Sequence, residues 1–423
     1  MDSTSLPLQN PWWAKANTIE ADQHLMAIAG KPYRFEPAVV SQLQFGSGDI
    51  HILRGPRQVG KTTALKMLIR RLLTHNIPPE RIFYLSCESF EKFQELEKIL
   101  AVYLRQYKAD RTYLFLDEIS FVTGWQRAVL AIANMGLTQN ACLVLTGSNA
   151  RDLKESSERL PGRRGMGKDL HLFPLSLKDL GGLECFRGKP FSELLEIYLR
   201  VGGFPRAIAD FASLGTVTDT TYEIYRNWIA GDATRYELRQ ETLKQILFRI
   251  AETLATRVTW PKLNENSPVK SHETALEYAE HLKDSFLCHI HYCYDPDTLG
   301  PAFQKARKIY FIDPLLYAIA VSWREGTTNV FQWIDGQLKD KSLLGNMFEA
   351  VVINHAARLY PHVFFWYSAK EKKEVDLVVK KEKDIALYEA KLKANTPFKA
   401  LNRLVQIIDP ISFEDFLSRS HNP

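Results

Sequence analysis

Hydrophobic positions change their spacing twice near the start of the chain. Ile50-His51-Ile52-Leu53 is a short apolar-rich run of strand type, whereas Leu65, Leu68, Ile69 and Leu72 recur at helical spacing. Tyr113-Leu114-Phe115-Leu116 and Cys142-Leu143-Val144-Leu145 are continuous apolar runs, the pattern of parallel strands covered on both faces. Over about 176–240 the spacing is helical and aromatic-rich, with Leu194, Leu195, Tyr198 and Leu199 on one helix. Gly202-Gly203-Phe204-Pro205 must end that helix or turn the chain.

Residues 241–320 predict a small helical unit with a wing. Ile246, Ile250 and Leu254 share one helix, and Trp260-Pro261 opens the next segment. Ser271 is an N-cap for a helix carrying Ala275, Leu276, Tyr278, Ala279 and Leu282. Residues 286–294 and 308–312 are strand-like. The polar stretch 336–341 is a boundary, after which a helix from about Leu343 carries Glu349, Val351, Val352 and His355. Strand-like Val363-Phe364-Phe365-Trp366-Tyr367 and a hairpin over 374–379 and 384–391 complete the pattern.

A length of 423 residues exceeds one ordinary core and predicts several domains. Hydrophobic content of 45% with 24% charged residues is that of a globular protein, and a net charge of +5 permits nucleic-acid binding without arguing for it. Residues 1–6 carry no basic region leading into an apolar run, so no signal peptide is readable. No apolar stretch reaches the roughly 20 residues of a membrane span. Five cysteines without a CxxC pair fit reduced thiols, and the expected compartment is the cytosol.

The strand at 50–53 leads into Gly55-Pro56-Arg57-Gln58-Val59-Gly60-Lys61-Thr62, which satisfies G-x-x-x-x-G-K-[ST] at every defined position, with Thr63 following. A random chain of this length meets the pattern about one or two times in a hundred, and the strand and helix around it lower that further. Glycines let the backbone wrap a phosphate, and successive N–H groups at the helix start face the anion. Lys61 would then reach the β- and γ-phosphates of ATP, and the Thr62 hydroxyl would ligate Mg²⁺.

The run 113–116 ends in Asp117-Glu118, about 55 residues after the loop. Asp117 is placed to hold the Mg²⁺ shell and Glu118 to polarise the attacking water. The run 142–145 continues into Thr146-Gly147-Ser148-Asn149. Ser148 or Asn149 is the candidate γ-phosphate contact, and a cap on the following helix explains the pair equally well.

On these residues, with "RGPRQVGKTT" and the later "TGSN…LPGRR…LFPLS", the stretch 54–174 resembles the AAA-type ATPases of a large prokaryotic family. The resemblance implies a parallel sheet with an extra central strand and helices on both faces. It also implies a Gly-Arg pair after the fourth strand, matched by Gly162-Arg163. Arg163 is thereby a candidate arginine finger or sensor, in its own or a neighbouring subunit; a solvated basic loop with Arg159, Arg164 and Lys168 is the alternative. In that family "YL…GGFP" stands at a lid over the nucleotide, and a winged helix follows; a plain helix–helix turn explains the glycines here equally. Winged helices bind DNA or dock proteins. Glu273, Glu277, Glu280, Lys283 and Asp284 make the would-be recognition helix mostly acidic, which favours docking.

Cys288-His289-Ile290-His291-Tyr292-Cys293 invites a zinc reading, but alternate strand residues face opposite ways and one ion could not easily reach all four. Asp376 and Glu389-x-Lys391 have the form D…E-x-K. Glu389 and Lys391 fall on one side of their strand, so carboxylates of Asp376 and Glu389 are candidates to share Mg²⁺ beside Lys391. With Glu349 on the preceding helix, the order resembles the PD-(D/E)XK nuclease fold, a C-terminal domain that the same ATPase family often carries. Val375 stands where that fold has proline. The bland alternative is a charged, solvated hairpin, since eight lysines and six acids lie within 370–393.

The fold expectation is α/β: an N-terminal arm (1–30), a P-loop ATPase domain (31–175), a helical lid (176–240), a winged-helix-like domain (241–330) and a nuclease-like domain (331–423). The expected activity is Mg-ATP hydrolysis coupled to a nuclease-like domain acting on double-stranded DNA, in a homo-oligomer without membrane contact. The alternatives are an ATP-gated switch and a DNA-binding ATPase whose nuclease fold is inactive.

Overall fold

A computed structural model describes residues 6–147, 162, 164–263, 265, 271–382, 384–393 and 396–419. The chain divides into two compact units, Met1–Phe173 and Pro174–Pro423.

The first unit is built on a parallel sheet of β1 (Ile50–Arg54), β2 (Ile82–Ser86), β3 (Thr112–Asp117), β4 (Ala141–Gly147) and β5 (Asp169–His171), in the order β2-β3-β4-β1-β5. Alternate residues feed two separate cores. Ile50, Ile52, Leu114, Leu116, Leu143 and Leu145 pack with helices Phe93–Gln106 and Trp125–Asn134. Leu53, Tyr84, Tyr113, Phe115, Cys142 and Val144 pack with helix Lys61–Thr74 and the N-terminal arm. Covering on both faces is why these strands read as unbroken apolar runs. The order also puts β4 between β1 and β3, so the ends of three strands converge above one helix start.

The arm closes the sheet's outer edge with side chains rather than a strand. The Asn10 amide spans Tyr84, donating to its carbonyl at 2.9 Å and accepting from its N–H at 2.6 Å. Gln9 accepts from the Ser86 N–H at 2.8 Å, and the Trp12 and Trp13 indoles both donate to the Ile82 carbonyl.

In the second unit, helices from Leu177–Gly182 to His272–Asp284 precede two small antiparallel pairs. One joins β6 (Cys288–His291) to β9 (Lys308–Phe311), and the other joins β7 (Tyr294–Asp295) to β8 (Gly300–Pro301). Ser271 caps its helix by accepting from the Glu273 N–H at 3.2 Å. Helices Pro314–Glu325, Val330–Gln337 and Lys341–Leu359 lead to a mixed sheet in the order β10-β11-β12-β14-β13. Its strands are β10 (Val363–Ser368), β11 (Lys373–Lys381), β12 (Asp384–Ala390), β13 (Phe398–Ala400) and β14 (Arg403–Ile408), with helix Pro410–Arg419 after them. Among the described residues no helix is long and apolar enough to cross a membrane.

The Gly202-Gly203 turn has a steric cause within this unit. Gly202 holds φ +72, and a Cβ on Gly203 would stand 2.0 Å from the Leu175 carbonyl oxygen. Buried Asp313, the N-cap of helix Pro314–Glu325, accepts from the N–H groups of Gly203 (2.8 Å) and Leu315 (3.0 Å). These contacts account for both glycines as a braced turn.

Candidate functional site

The turn from β1 into helix Lys61–Thr74 is tight, and its composition follows from that. A Cβ at Gly55 would lie 2.1 Å from the Leu172 carbonyl oxygen, and Gly60 holds φ +100. Gly60 stands at the N-cap position without a side chain, so the first-turn N–H groups carry no side-chain cap. Gln58 also has positive φ, +62, and Arg57 stacks 6.0 Å above the Phe121 ring. Pro56 and Val59 are buried, and Thr63 is half-buried in the first turn. Lys61 folds back over the turn, its Nζ donating to the carbonyls of Gly55 and Pro56 at 3.1 Å each. The same ammonium is 3.4 Å from Glu118 Oε1.

Asp117, at the end of β3 and 3% exposed, is the centre of the site. It shares the sheet face of Tyr113 and Phe115, which looks onto helix Lys61–Thr74. Three hydroxyls donate to it: Thr62 to Oδ2 at 2.6 Å, Tyr84 to Oδ2 at 3.1 Å, and Thr146 to Oδ1 at 2.5 Å. A hydroxyl has one proton and two lone pairs, so Thr62 can donate to Asp117 and still offer oxygen to a cation. Thr146 also accepts from the Glu118 N–H at 3.0 Å, and Glu118 has left-handed φ, +49. For a residue without glycine's freedom this is strain of the kind that collects at working sites.

The surrounding groups register the buried charge. Burial first, then Asp117, pushes the Tyr84 phenol far above its ordinary value, and Cys87 is raised by burial with Asp117 and Glu118 adding to it. Lys66 lies 3.4 Å over the Tyr84 ring and 3.3 Å from Asp22. Burial lowers its pKa, and Asp22 opposes that.

Gly55, Lys61, Thr62, Asp117 and Glu118 are therefore brought together. The glycine cradle, the folded-back ammonium and the Thr62 lone pairs fit a Mg-nucleotide. Ser148, Asn149 and Arg163 lie outside the described residues. Tyr84 and Thr146 were not foreseen as site residues. Strand register brings both level with the end of β3: Leu85 pairs with Leu116, and Leu116 with Leu145.

The C-terminal acids meet at a different kind of centre. Glu349 on helix Lys341–Leu359 and Asp376 on β11 are both buried, as is Lys308 of β9. Lys308 Nζ stands 2.8 Å from Glu349 Oε1, 3.0 Å from Asp376 Oδ1 and 2.7 Å from Glu374 Oε1. The Tyr310 hydroxyl donates to Glu349 Oε1 at 2.6 Å, and the Ala390 N–H donates to Asp376 Oδ2 at 3.2 Å. Glu389 pairs with Lys391 at 2.9 Å, so the one-face expectation holds for that pair. Burial and then Asp376 raise Glu349 to about 7 and also raise Glu389. A divalent cation shared by Glu349, Asp376 and Glu389 does not fit this arrangement, because an ammonium stands between the first two. Neither Lys308 nor Glu374 was foreseen here.

The 288–293 segment is largely buried. Burial lowers His289 to about 4 and takes His291 well below its ordinary value. Among the described residues no three His, Cys, Asp or Glu side chains are arranged to hold a metal ion.

Residues 47–181 match the family model described as AAA domain. Residues 192–326 and 344–417 match two models described as domains of unknown function, DUF8612 and DUF4143. A curated protein of Haemophilus influenzae, described as an uncharacterized protein, is 28% identical over 286 residues, covering 64% of this chain and 68% of that one. Among solved structures, the chain is similar to the Walker-type ATPase paby2304 of Pyrococcus abyssi (16% identity, TM-score 0.44, 64% of this chain and 91% of that one). It is also similar to the Aeropyrum pernix ORC2 protein in its ADPNP-ADP complexes (16% identity, TM-score 0.38, 68% and 89%). At such TM-scores these likenesses carry no argument about the site. The sheet order, the loop and the family match define the first unit as a P-loop ATPase fold of the AAA type.

Proposed function

We propose that the protein binds Mg-ATP in the loop 55–62 and hydrolyses it, with Glu118 as the group that takes the proton of the attacking water. The observation that carries this is the continuous row of Thr62, Asp117, Thr146 and Glu118 facing Lys61. Bound Mg²⁺ would supply charge neutralisation for the phosphates. Lys61 exchanges its loop carbonyls and Glu118 for phosphate oxygens, which frees the Glu118 carboxylate for water. Asp117 holds the Thr62 hydroxyl in one orientation, and Thr146 fixes the strained Glu118 backbone.

The test is phosphate release and nucleotide binding by the wild type, Lys61→Ala and Glu118→Gln. Glu118→Gln should bind ATP and lose about 10²–10⁴-fold in turnover, whereas Lys61→Ala should lose binding. Hydrolysis by Glu118→Gln at the wild-type rate would overturn the assignment.

Coupling to DNA cleavage asks Glu349, Asp376 and Glu389 to share a cation, and the Lys308 contacts speak against it. They favour the second reading, an ATP-gated switch in which a lid, a winged helix and a nuclease-like fold within 174–423 serve docking. Arg163 as an arginine finger, a homo-oligomer, double-stranded DNA as a partner and a cytoplasmic setting belong to this proposal. Salt-sensitive DNA binding that survives Glu389→Ala, without cut products, would favour a DNA-bound switch; cleavage lost in Asp376→Asn would restore the nuclease.

A further inference from the structure

We propose that the Lys308 ammonium is the resident cation of the C-terminal carboxylate cluster, occupying the position a divalent metal would need and fastening β9 to the helix and sheet that follow it.

The geometry is that of a centre already filled. Lys308 has a side chain 1% exposed, and its Nζ has three carboxylate neighbours at 2.7, 2.8 and 3.0 Å, from three separate positions on Glu374, Glu349 and Asp376. An ammonium has three donors, so all three can be used. Other groups bind the same carboxylates. Tyr310 donates to the Glu349 oxygen that Lys308 uses, and Ala390 donates to the second Asp376 oxygen. The second Glu374 oxygen is 3.0 Å from Arg257 Nε, whose guanidinium stacks 4.2 Å over Tyr367. Beside the cluster, the buried Glu389 Oε2 has no hydrogen-bond partner.

Charge balance agrees. Glu349, Glu374, Asp376 and Glu389 face the three cations Lys308, Arg257 and Lys391, and with the Glu349 carboxyl pushed up to about 7 by burial the group holds at most one uncompensated negative charge. Hard divalent cations need several oxygens at about 2.0–2.6 Å. The Lys308 ammonium already takes one oxygen from each of Glu349, Glu374 and Asp376, and a second cation beside a desolvated ammonium is repelled. A buried charge group of this kind holds its elements together because removing one member strands the others. The cluster is therefore a fastening between β9, helix Lys341–Leu359 and β11.

The test uses the nucleotide-free, full-length protein and Mn²⁺ alone, with bound ion counted by loss of the free Mn²⁺ paramagnetic resonance signal. Asp117→Asn in every sample removes any contribution from the nucleotide site. The background protein should bind no Mn²⁺ that Asp376→Asn abolishes. Lys308→Met, which keeps the stem and removes the charge, should gain about one equivalent, lost again on adding Asp376→Asn. Mn²⁺ should also raise the melting temperature of Lys308→Met and leave that of the background unchanged. An Asp376-dependent Mn²⁺ site in the protein that retains Lys308 would overturn the proposal, as would a folded Lys308→Met that gains none. Should Lys308→Met fail to fold, the comparison of background with Asp376→Asn still decides. None of these readouts involves nucleotide, so failure here leaves the ATPase assignment standing.

Discussion

Removing the Tyr84 hydroxyl is the sharpest probe of how Asp117 is held. Tyr84→Phe deletes one of three hydroxyl donors, the 3.1 Å bond to Oδ2, and leaves the ring under Lys66 and among its core neighbours. A hydrogen bond to a buried charged group contributes about 1.5–3 kcal/mol. If Asp117 must stay ionised and oriented to hold Thr62, that corresponds to roughly 10- to 100-fold in turnover or in Mg²⁺ half-saturation, at about 1.4 kcal/mol per decade. Thr146→Val should cost more, because it removes the 2.5 Å bond to Oδ1 and also strips the Glu118 N–H of its acceptor. The assay is steady-state phosphate release over a Mg²⁺ titration at saturating ATP, with circular dichroism to confirm folding. Both variants within twofold of wild type, at unchanged Mg²⁺ half-saturation, would refute the view that these hydroxyls position Asp117.

Two further outcomes follow from the second unit. Burial lifts Asp313 from 3.8 to about 6, so its carboxyl binds a proton more tightly folded than unfolded. The resulting contribution is full below about pH 4 and is lost as pH rises through 6, by about 3 kcal/mol. The difference in urea stability between wild type and Asp313→Asn should move by that amount between pH 4 and 7, and a difference constant across that window refutes it. Gly203→Ala would drive its Cβ into the Leu175 carbonyl at 2.0 Å, and backbone cannot yield as a side chain can. The expected loss is about 3 kcal/mol, read from the urea midpoint; a loss below about 0.5 kcal/mol contradicts it.

What the sequence revealed depended on distance along the chain. The phosphate loop is contiguous, and its residue types follow from its own backbone, so Gly55, Gly60, Lys61 and Thr62 were readable one by one. Asp117 was readable because a buried strand must end, and what stands at its end is visible. Tyr84 and Thr146 were not, since their role comes from strands brought level by β-sheet register. The neighbours of the C-terminal acids were hidden for the same reason. D…E-x-K is a local pattern, but Lys308, which contacts its acids, lies 41 residues from Glu349 and 68 from Asp376. Nothing near Lys308 in sequence announces that it ends among carboxylates. The glycines of 202–203 were legible as a turn, and Asp313, which braces that turn, lies 110 residues from Gly203.

The arm that closes β2 bears on how the protein tolerates shortening. Its side chains occupy the Ile82 and Tyr84 carbonyls and the Tyr84 and Ser86 N–H groups, which another strand would otherwise use. A chain begun near residue 31 would keep the entire phosphate loop yet present a bare sheet margin five residues long. Such margins template pairing between copies. Proteolysis or careless subcloning at that point would thus leave the phosphate loop in place and turn the sheet margin into a self-adhesive edge.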